Sequence, residues 1–214
     1  MKRKNIFTKG AVFTLCMCLT GNLTASASYN GQKAADYATK YAKTPNSSYH
    51  TFKYDCTNFA SQCINAGGIK MKNAPESVLF DRKTPKDEVN WYHVTGCGGL
   101  FYRATTSWTV VADLWGMANL HNLKTSVFSQ RLSAEELAKN VKVGDVVQIS
   151  KKGNLPTHSI ICVKVNGKTI DQVFFASHTS NYKKDSIKEI RRRYAKDNND
   201  MNVNNVAFCI IRPK

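Results

Sequence analysis

Apolar residues recur at helical spacing in the first part of this chain and at strand spacing in the last. Between about Gly31 and Lys43, Ala34, Ala35, Tyr37, Ala38, Tyr41 and Ala42 follow a 3.6-residue repeat, which predicts an amphipathic helix with a small-residue face. Thr44-Pro45-Asn46-Ser47-Ser48 ends it. From Tyr54 to Gly68 the apolar positions Phe59, Ala60, Cys63 and Ile64 repeat at the same spacing. Asp55 stands where a helix N-cap belongs and Gly67 where a C-cap belongs, which puts Cys56 in the first helical turn. Residues Ile69 to Tyr102 are rich in loop formers, and a further helix is expected over about Thr109 to Asn119, with Val110, Val111, Leu114, Trp115 and Ala118 inward. Ser133-Ala134-Glu135-Glu136 has the form of a capping box that opens a short helix.

After Val141 the period changes. Val143-Gly144-Asp145 reads as a turn into a strand over Val146 to Ile149, and His158 to Val165, Gln172 to Ser177 and Val206 to Ile211 read as three more. Asn166-Gly167 is a hairpin-turn signal between the second and third strands. Helices followed by antiparallel strands define an α+β fold.

The first 27 residues stand apart from this pattern. Lys2, Arg3, Lys4 and Lys9 precede an apolar run from Ala11 to Leu23, and Ala25-Ser26-Ala27 follows it, the order of a secretory signal peptide cleaved after Ala27. Thr14, Thr20 and Asn22 interrupt the run, which is shorter than the roughly 20 residues of a spanning helix. Residues 28–214 are then expected to form one domain, secreted or associated with the cell wall, without a stable membrane span and monomeric.

Four of the 31 Lys and Arg residues and none of the 15 Asp and Glu lie in the leader, so residues 28–214 carry a net charge of +12. Such a protein is drawn to anionic polymers, cell-wall teichoic acids among them. The basic positions Lys183, Lys184, Lys188, Arg191, Arg192 and Arg193 are the densest run, with Lys184, Lys188 and Arg191 on one helical face, which is also how an ordinary solvated face looks. No aromatic-interleaved stripe accompanies them, and nucleic acid is not an expected partner.

Of seven cysteines, Cys16 and Cys18 fall in the leader and Cys56, Cys63, Cys97, Cys162 and Cys209 remain. An odd number leaves at least one thiol unpaired in a secreted chain. No pair has metal-site spacing, and neither a metal nor a cofactor is expected. Cys56 has the helix N-terminal position that lowers a thiol pKa, and its own backbone N–H is placed to face an oxyanion. His158 opens a core strand, a rigid base for an imidazole, and His178 closes the next predicted strand, within hydrogen-bonding reach if the two strand ends coincide. The bland alternatives are a buried small hydrophobe at Cys56 and structural histidines at His158 and His178.

Asp55-Cys56-Thr57-Asn58-Phe59-Ala60-Ser61-Gln62 followed by Ala66-Gly67-Gly68 closely resembles the motif of a bacterial putative amidase domain family of the papain-like superfamily, which also holds NlpC-type wall peptidases and CHAP amidases. Val143-Gly144-Asp145-Val146-Val147 with His158-Ser159-Ile160-Ile161, and then Ser177-His178-Thr179-Ser180-Asn181, resemble the later motifs of the same enzymes, in the same order. The resemblance implies a papain-like fold, with a helix bearing Cys56 packed on an antiparallel sheet bearing His158 and His178. It implies a cysteine amide hydrolase in which Cys56 is the nucleophile, His158 the base, and His178 or Asn181 the group that orients it. Asp55 is implied either to hold a substrate amine or to cap the helix. The implied substrate is peptidoglycan or a related peptide. A secreted toxin or effector on the same fold, acting on a competitor or host target, and a basic non-enzymatic wall-binding module are the alternatives.

Overall fold

The computed structural model describes residues 28–120, 131–179, 183–200 and 202–214. The expected leader, residues 1–27, lies outside the described residues, as does Asn181. In chain order the elements are α1 (Gly31–Tyr41), α2 (Cys56–Ala66), β1 (Arg82–Lys83), β2 (His93–Gly96), β3 (Phe101–Ala104), α3 (Thr106–Thr109), α4 (Val111–Leu120), α5 (Ala134–Asn140), β4 (Val146–Lys151), β5 (His158–Val165), β6 (Val173–Ala176), β7 (Asp185–Ser186), α6 (Ile187–Asp197) and β8 (Val206–Ile211).

A five-stranded sheet in the order β7-β6-β5-β4-β8, every neighbouring pair antiparallel, forms the centre. Strand side chains alternate between its faces. Val146, Ile161, Ala176 and Ile211 point to one side, where they pack with Ala34 and Ala38 of α1, Phe59, Ala60, Cys63 and Ile64 of α2, and Leu114, Met117 and Ala118 of α4. Val147, Ile149, Ile160, Cys162, Phe175, Phe208 and Ile210 point to the other, against Leu137 and Ala138 of α5 and Ile187 and Ile190 of α6. The fold is thus α+β, with helices covering both faces of an antiparallel sheet. A small sheet, β1-β3-β2, orders part of the loop-rich stretch between α2 and α3 in the chain. No helix among the described residues is long and apolar enough to cross a membrane.

Local chemistry explains where the elements begin. Asn30 caps α1 through a hydrogen bond from Lys33 N–H, and Ser133 with Glu136 forms the expected capping box of α5. A second box, Ser186 with Glu189, opens α6. The start of α1 meets the turn before β4 so closely that a Cβ on Gly31 would overlap the Val143 carbonyl. Gly144 (φ +86°) would meet Gly31 in the same way, so both positions require glycine.

The structure departs from the sequence expectations at several joints. The α2 C-cap Gly67 stays right-handed (φ −70°) and the left-handed glycine is Gly68 (φ +109°), one residue later. The helix expected over about Thr109 to Asn119 is α4, which begins two residues later at Val111 because Val110 is extended (φ −111°, ψ 134°) and exposed rather than inward, and the separate short α3 precedes it. Asn166-Gly167 does not make a two-residue hairpin: neither residue has positive φ, and β5 and β6 are joined by residues 166–172, closed by Asn166 N–H to the Gln172 carbonyl.

Candidate active site

Every residue from Cys56 to Ile64 is buried, so α2 is enclosed on all sides and its polar side chains need internal partners. They find them. Thr57 Oγ1 lies 3.1 Å from Ser159 Oγ of β5. Asn58 donates to the His50 carbonyl (3.0 Å) and accepts from Trp108 Nε1 (2.9 Å). Ser61 donates to the Trp108 carbonyl (2.9 Å) and accepts from Trp91 Nε1 (3.2 Å). Gln62 Oε1 accepts from the Tyr37 hydroxyl (2.8 Å). The polar content of the Asp55–Gln62 octapeptide is therefore largely the hydrogen bonding that holds a buried helix against its neighbours.

Asp55 occupies the N-cap position of α2, but its side chain makes no capping hydrogen bond to the helix. Oδ1 accepts from Phe52 N–H and Asn58 Nδ2, both at 2.8 Å, and Oδ2 faces His178 Nδ1 at 2.5 Å. The Asp55 backbone N–H donates to Thr179 Oγ1 (3.0 Å). Thr179 holds φ +74°, a left-handed conformation that is strained for a β-branched residue and lies next to His178.

Both nitrogens of His178 are engaged: Nδ1 with Asp55, and Nε2 with the Tyr41 carbonyl at the end of α1 (2.8 Å). The Tyr41 carbonyl only accepts, so Nε2 carries a hydrogen, and the pair Nδ1–Oδ2 shares the other. The ring lies on Phe59, centroids 3.9 Å apart and 17° from parallel. The expected His178–His158 hydrogen bond is not formed. The physical reason is the strand period: His178 follows Ala176 by two and shares the α2 face, whereas His158 is paired with Ile149 on the α6 face.

His158 is oriented instead by Ser177, whose Oγ lies 3.1 Å from Nε2. Ser177 Oγ also lies 2.7 Å from the His178 carbonyl and 3.2 Å from the Ser159 carbonyl. A hydroxyl has one hydrogen, and the shortest of these contacts takes it. Ser177 then accepts from His158 Nε2–H, and the lone pair of the neutral imidazole is on Nδ1. Burial lowers the His158 pKa to about 4, which keeps the ring neutral near pH 7. The ring lines a cavity of about 190 Å³ with Thr157, Ile190, Arg193 and Tyr194.

Cys56 is the first residue of α2, 7% exposed. Its sulfur lies toward the Ser159 backbone N–H, which lowers its pKa, and 3.8 Å from Thr57 Oγ1. Thiol and imidazole thus flank the same peptide, His158–Ser159, the thiol from the α2 side and the imidazole from the α6 side. Burial pushes the Cys56 thiol up, and the Ser159 N–H and the Thr57 hydroxyl and N–H pull it back only in part. This differs from the expected lowering at a helix N-terminus: desolvation of a nearly enclosed sulfur outweighs the helix end. Both groups are neutral at rest, and they stand on opposite faces of the sheet.

Ser159 and Ser177, which hold the thiol and the imidazole, were not among the residues singled out from the sequence. The available signal was a serine at a buried position beside apolar strand residues, at the start of β5 and again just after β6. Cys63, Cys97, Cys162 and Cys209 are free, as is Cys56, and no group of His, Cys, Asp and Glu that could hold a metal is present among the described residues.

Two Bacillus subtilis (strain 168) proteins are similar over a short part of the chain. The uncharacterized protein YjcM is 48% identical over 50 residues, 23% of this chain and 12% of its own length. The uncharacterized protein YhbB is 43% identical over 47 residues, 22% of this chain and 15% of its own. The chain therefore matches less than a sixth of either relative. No solved structure matches. The family described as "Putative amidase domain" matches residues 28–203, which is most of the chain and contains every residue of the site described above. The chain belongs to the putative amidase domain family, whose description is that of an amide hydrolase.

Proposed function

We propose that this chain is a papain-like cysteine amide hydrolase in which Cys56 attacks and His158 transfers protons. The observation that carries the proposal is the position of Cys56 Sγ against the Ser159 N–H, one peptide from a neutral His158 whose Nε2–H is held by Ser177. The imidazole takes the thiol proton as sulfur adds to the amide carbonyl, a transfer that requires the His158 ring to turn from the α6 side of the His158–Ser159 peptide to the α2 side. The Cys56 backbone N–H, in the first turn of α2, faces the developing oxyanion. His158 then gives its proton to the leaving amine, which departs from an acyl-thioester on Cys56. Water, deprotonated by the same imidazole, releases the acid and restores the thiol.

In this proposal His178 and Asp55 are positioning residues. Their contact ties α2 to the end of β6, and the His178 carbonyl accepts from Ser177, which orients His158. The alternative for Asp55, a grip on a substrate amine, is opposed by its three engaged partners and near-complete burial. Asn181 remains the other candidate to contact substrate or imidazole.

The leader-like residues 1–27, the net charge of +12 and the kinship of the motifs with wall peptidases support a protein that is exported and acts on peptidoglycan peptides. Residues 28–214 would then work as one domain and as a monomer, with anionic wall polymers as secondary partners. The test is release of new amines from purified wall fragments by residues 28–214, compared with the Cys56→Ala variant. Release that depends on Cys56 supports the proposal, and a wild-type chain that liberates no amine from any wall preparation removes peptidoglycan as the substrate.

A further inference from the structure

A second cavity, of about 370 Å³, lies between α4, β4 and the loop that leads into His158. Trp115, Leu155, Pro156 and Cys209 make its apolar wall, and Gln148 and Arg131 are its polar lining. Gln148 is fully buried. Its Nε2 donates to the Val111 carbonyl (2.7 Å), which fixes the amide, and Oε1 meets no donor among the described residues. A buried carbonyl oxygen left in this state is destabilising, so a ligand that brings an N–H to it is favoured.

Arg131 supplies the second requirement. Its Nη1 donates to Ser150 Oγ (3.1 Å) and the Lys151 carbonyl (3.3 Å), both uncharged. Among the described residues the guanidinium has no carboxylate partner. Leu155, 72% exposed, holds an apolar surface open beside it. The cavity is also next to the candidate active site: Gln148 is the β4 partner of Ser159, whose N–H holds Cys56 Sγ, and Pro156 precedes His158 by two residues.

An N–H donor, an anion and an apolar group presented together are the features of one peptide end. We propose that this cavity is a subsite for the carboxy-terminal residue of a peptide, with its amide N–H on Gln148, its carboxylate on Arg131 and its side chain against Trp115, Leu155 and Pro156. That the bound residue lies beside the bond being cut rests on the amide-hydrolase proposal; binding itself does not require Cys56.

The test uses residues 28–214 carrying Cys56→Ala, titrated with N-acetyl-leucine and with N-acetyl-leucinamide, which lacks the carboxylate. Binding is followed by calorimetry and by the indole signal of Trp115. The acid should bind saturably and roughly tenfold more tightly than the amide, about 1.4 kcal/mol. Arg131→Gln, a change at the cavity rim, should equalise the two, and Trp115→Ala should weaken both. Equal binding of acid and amide, no saturation, or indifference to Arg131→Gln would overturn the subsite. Absent binding with an active wild-type enzyme would sink the subsite alone, whereas binding in a chain that hydrolyses no amide would sink the hydrolase proposal alone.

Discussion

Asp55 Oδ2 lies 2.5 Å from His178 Nδ1, a buried contact that joins the first turn of α2 to the end of β6 across 123 positions of sequence. It joins two residues that the sequence reading singled out separately. Asp55 is needed next to the thiol because it anchors the helix that presents the thiol, and His178 is needed because Asp55 Oδ2 would otherwise be buried without a partner.

Loss of this contact should therefore be a stability event. Asp55→Ala strips His178 of its partner and is expected to cost about 3–5 kcal/mol, the range for breaking a buried pair. A residue that only caps a helix would cost about 1 kcal/mol. Urea denaturation separates the two, and a double-mutant cycle with His178→Gln should show strong coupling.

Ser177→Ala should leave the fold intact and weaken catalysis. With no acceptor at Nε2 the imidazole loses its orientation and its preferred tautomer, so kcat on a cleaved amide should fall by roughly ten- to a hundredfold, part of what a positioned base contributes. KM should hardly change, and Ser177→Thr should restore the rate. A Ser177→Ala enzyme with full kcat would mean that His158 is oriented otherwise.

Burial lowers both His158 and His93 to about 4 from an ordinary value of 6.5. Between these values the unfolded chain binds protons that the folded chain refuses, so stability rises with pH across that window and is lost as pH falls through it. Each histidine can contribute on the order of 1–3 kcal/mol. Urea midpoints measured from pH 7 to pH 4 should fall accordingly, and more shallowly in His93→Phe. The same depressed value predicts that the acid limb of kcat/KM lies near pH 4 rather than near 6.5.

The order of thiol reactivity follows from exposure. Iodoacetamide should modify Cys97, on the surface, first. Cys56 should follow slowly at neutral pH, with a midpoint above the ordinary thiol value because burial raises it, and Cys63 and Cys162, fully enclosed, should react only on unfolding. Mass spectrometry of each cysteine across pH checks the order. Fast labelling of Cys56 below pH 7 would mean an ion pair at rest, contrary to the neutral pair described here.

Much of this architecture is legible in the residues. The strand His158–Val165 follows from its β-branched residues and the strand Val206–Ile211 from an unbroken apolar run, and Cys56 begins its helix where the spacing of Phe59, Ala60, Cys63 and Ile64 requires. α6 was harder to see, because only Ile187, Ile190 and Ala195 are buried in a segment dominated by charge. The helix expected from Thr109 starts instead at Val111, because the apolar repeat carries no mark of the extended residue Val110. The pairing of His178 with Asp55, rather than with His158, depends on which face of the sheet each histidine takes, and that follows from a register that pairs Ile161 with Ala176 and cannot be counted along one strand. Ser159 and Ser177 carry no motif of their own, and their role emerges only when β5 and β6 are side by side.

The most direct measurement is acid-quenched turnover of a purified wall peptide, with the enzyme then mapped by mass spectrometry. The account predicts an acyl-thioester on Cys56 in the wild type, none in His158→Ala, and amine release that survives Cys63→Ala but not Cys56→Ala. Amine release that persists in a folded Cys56→Ala protein would contradict it.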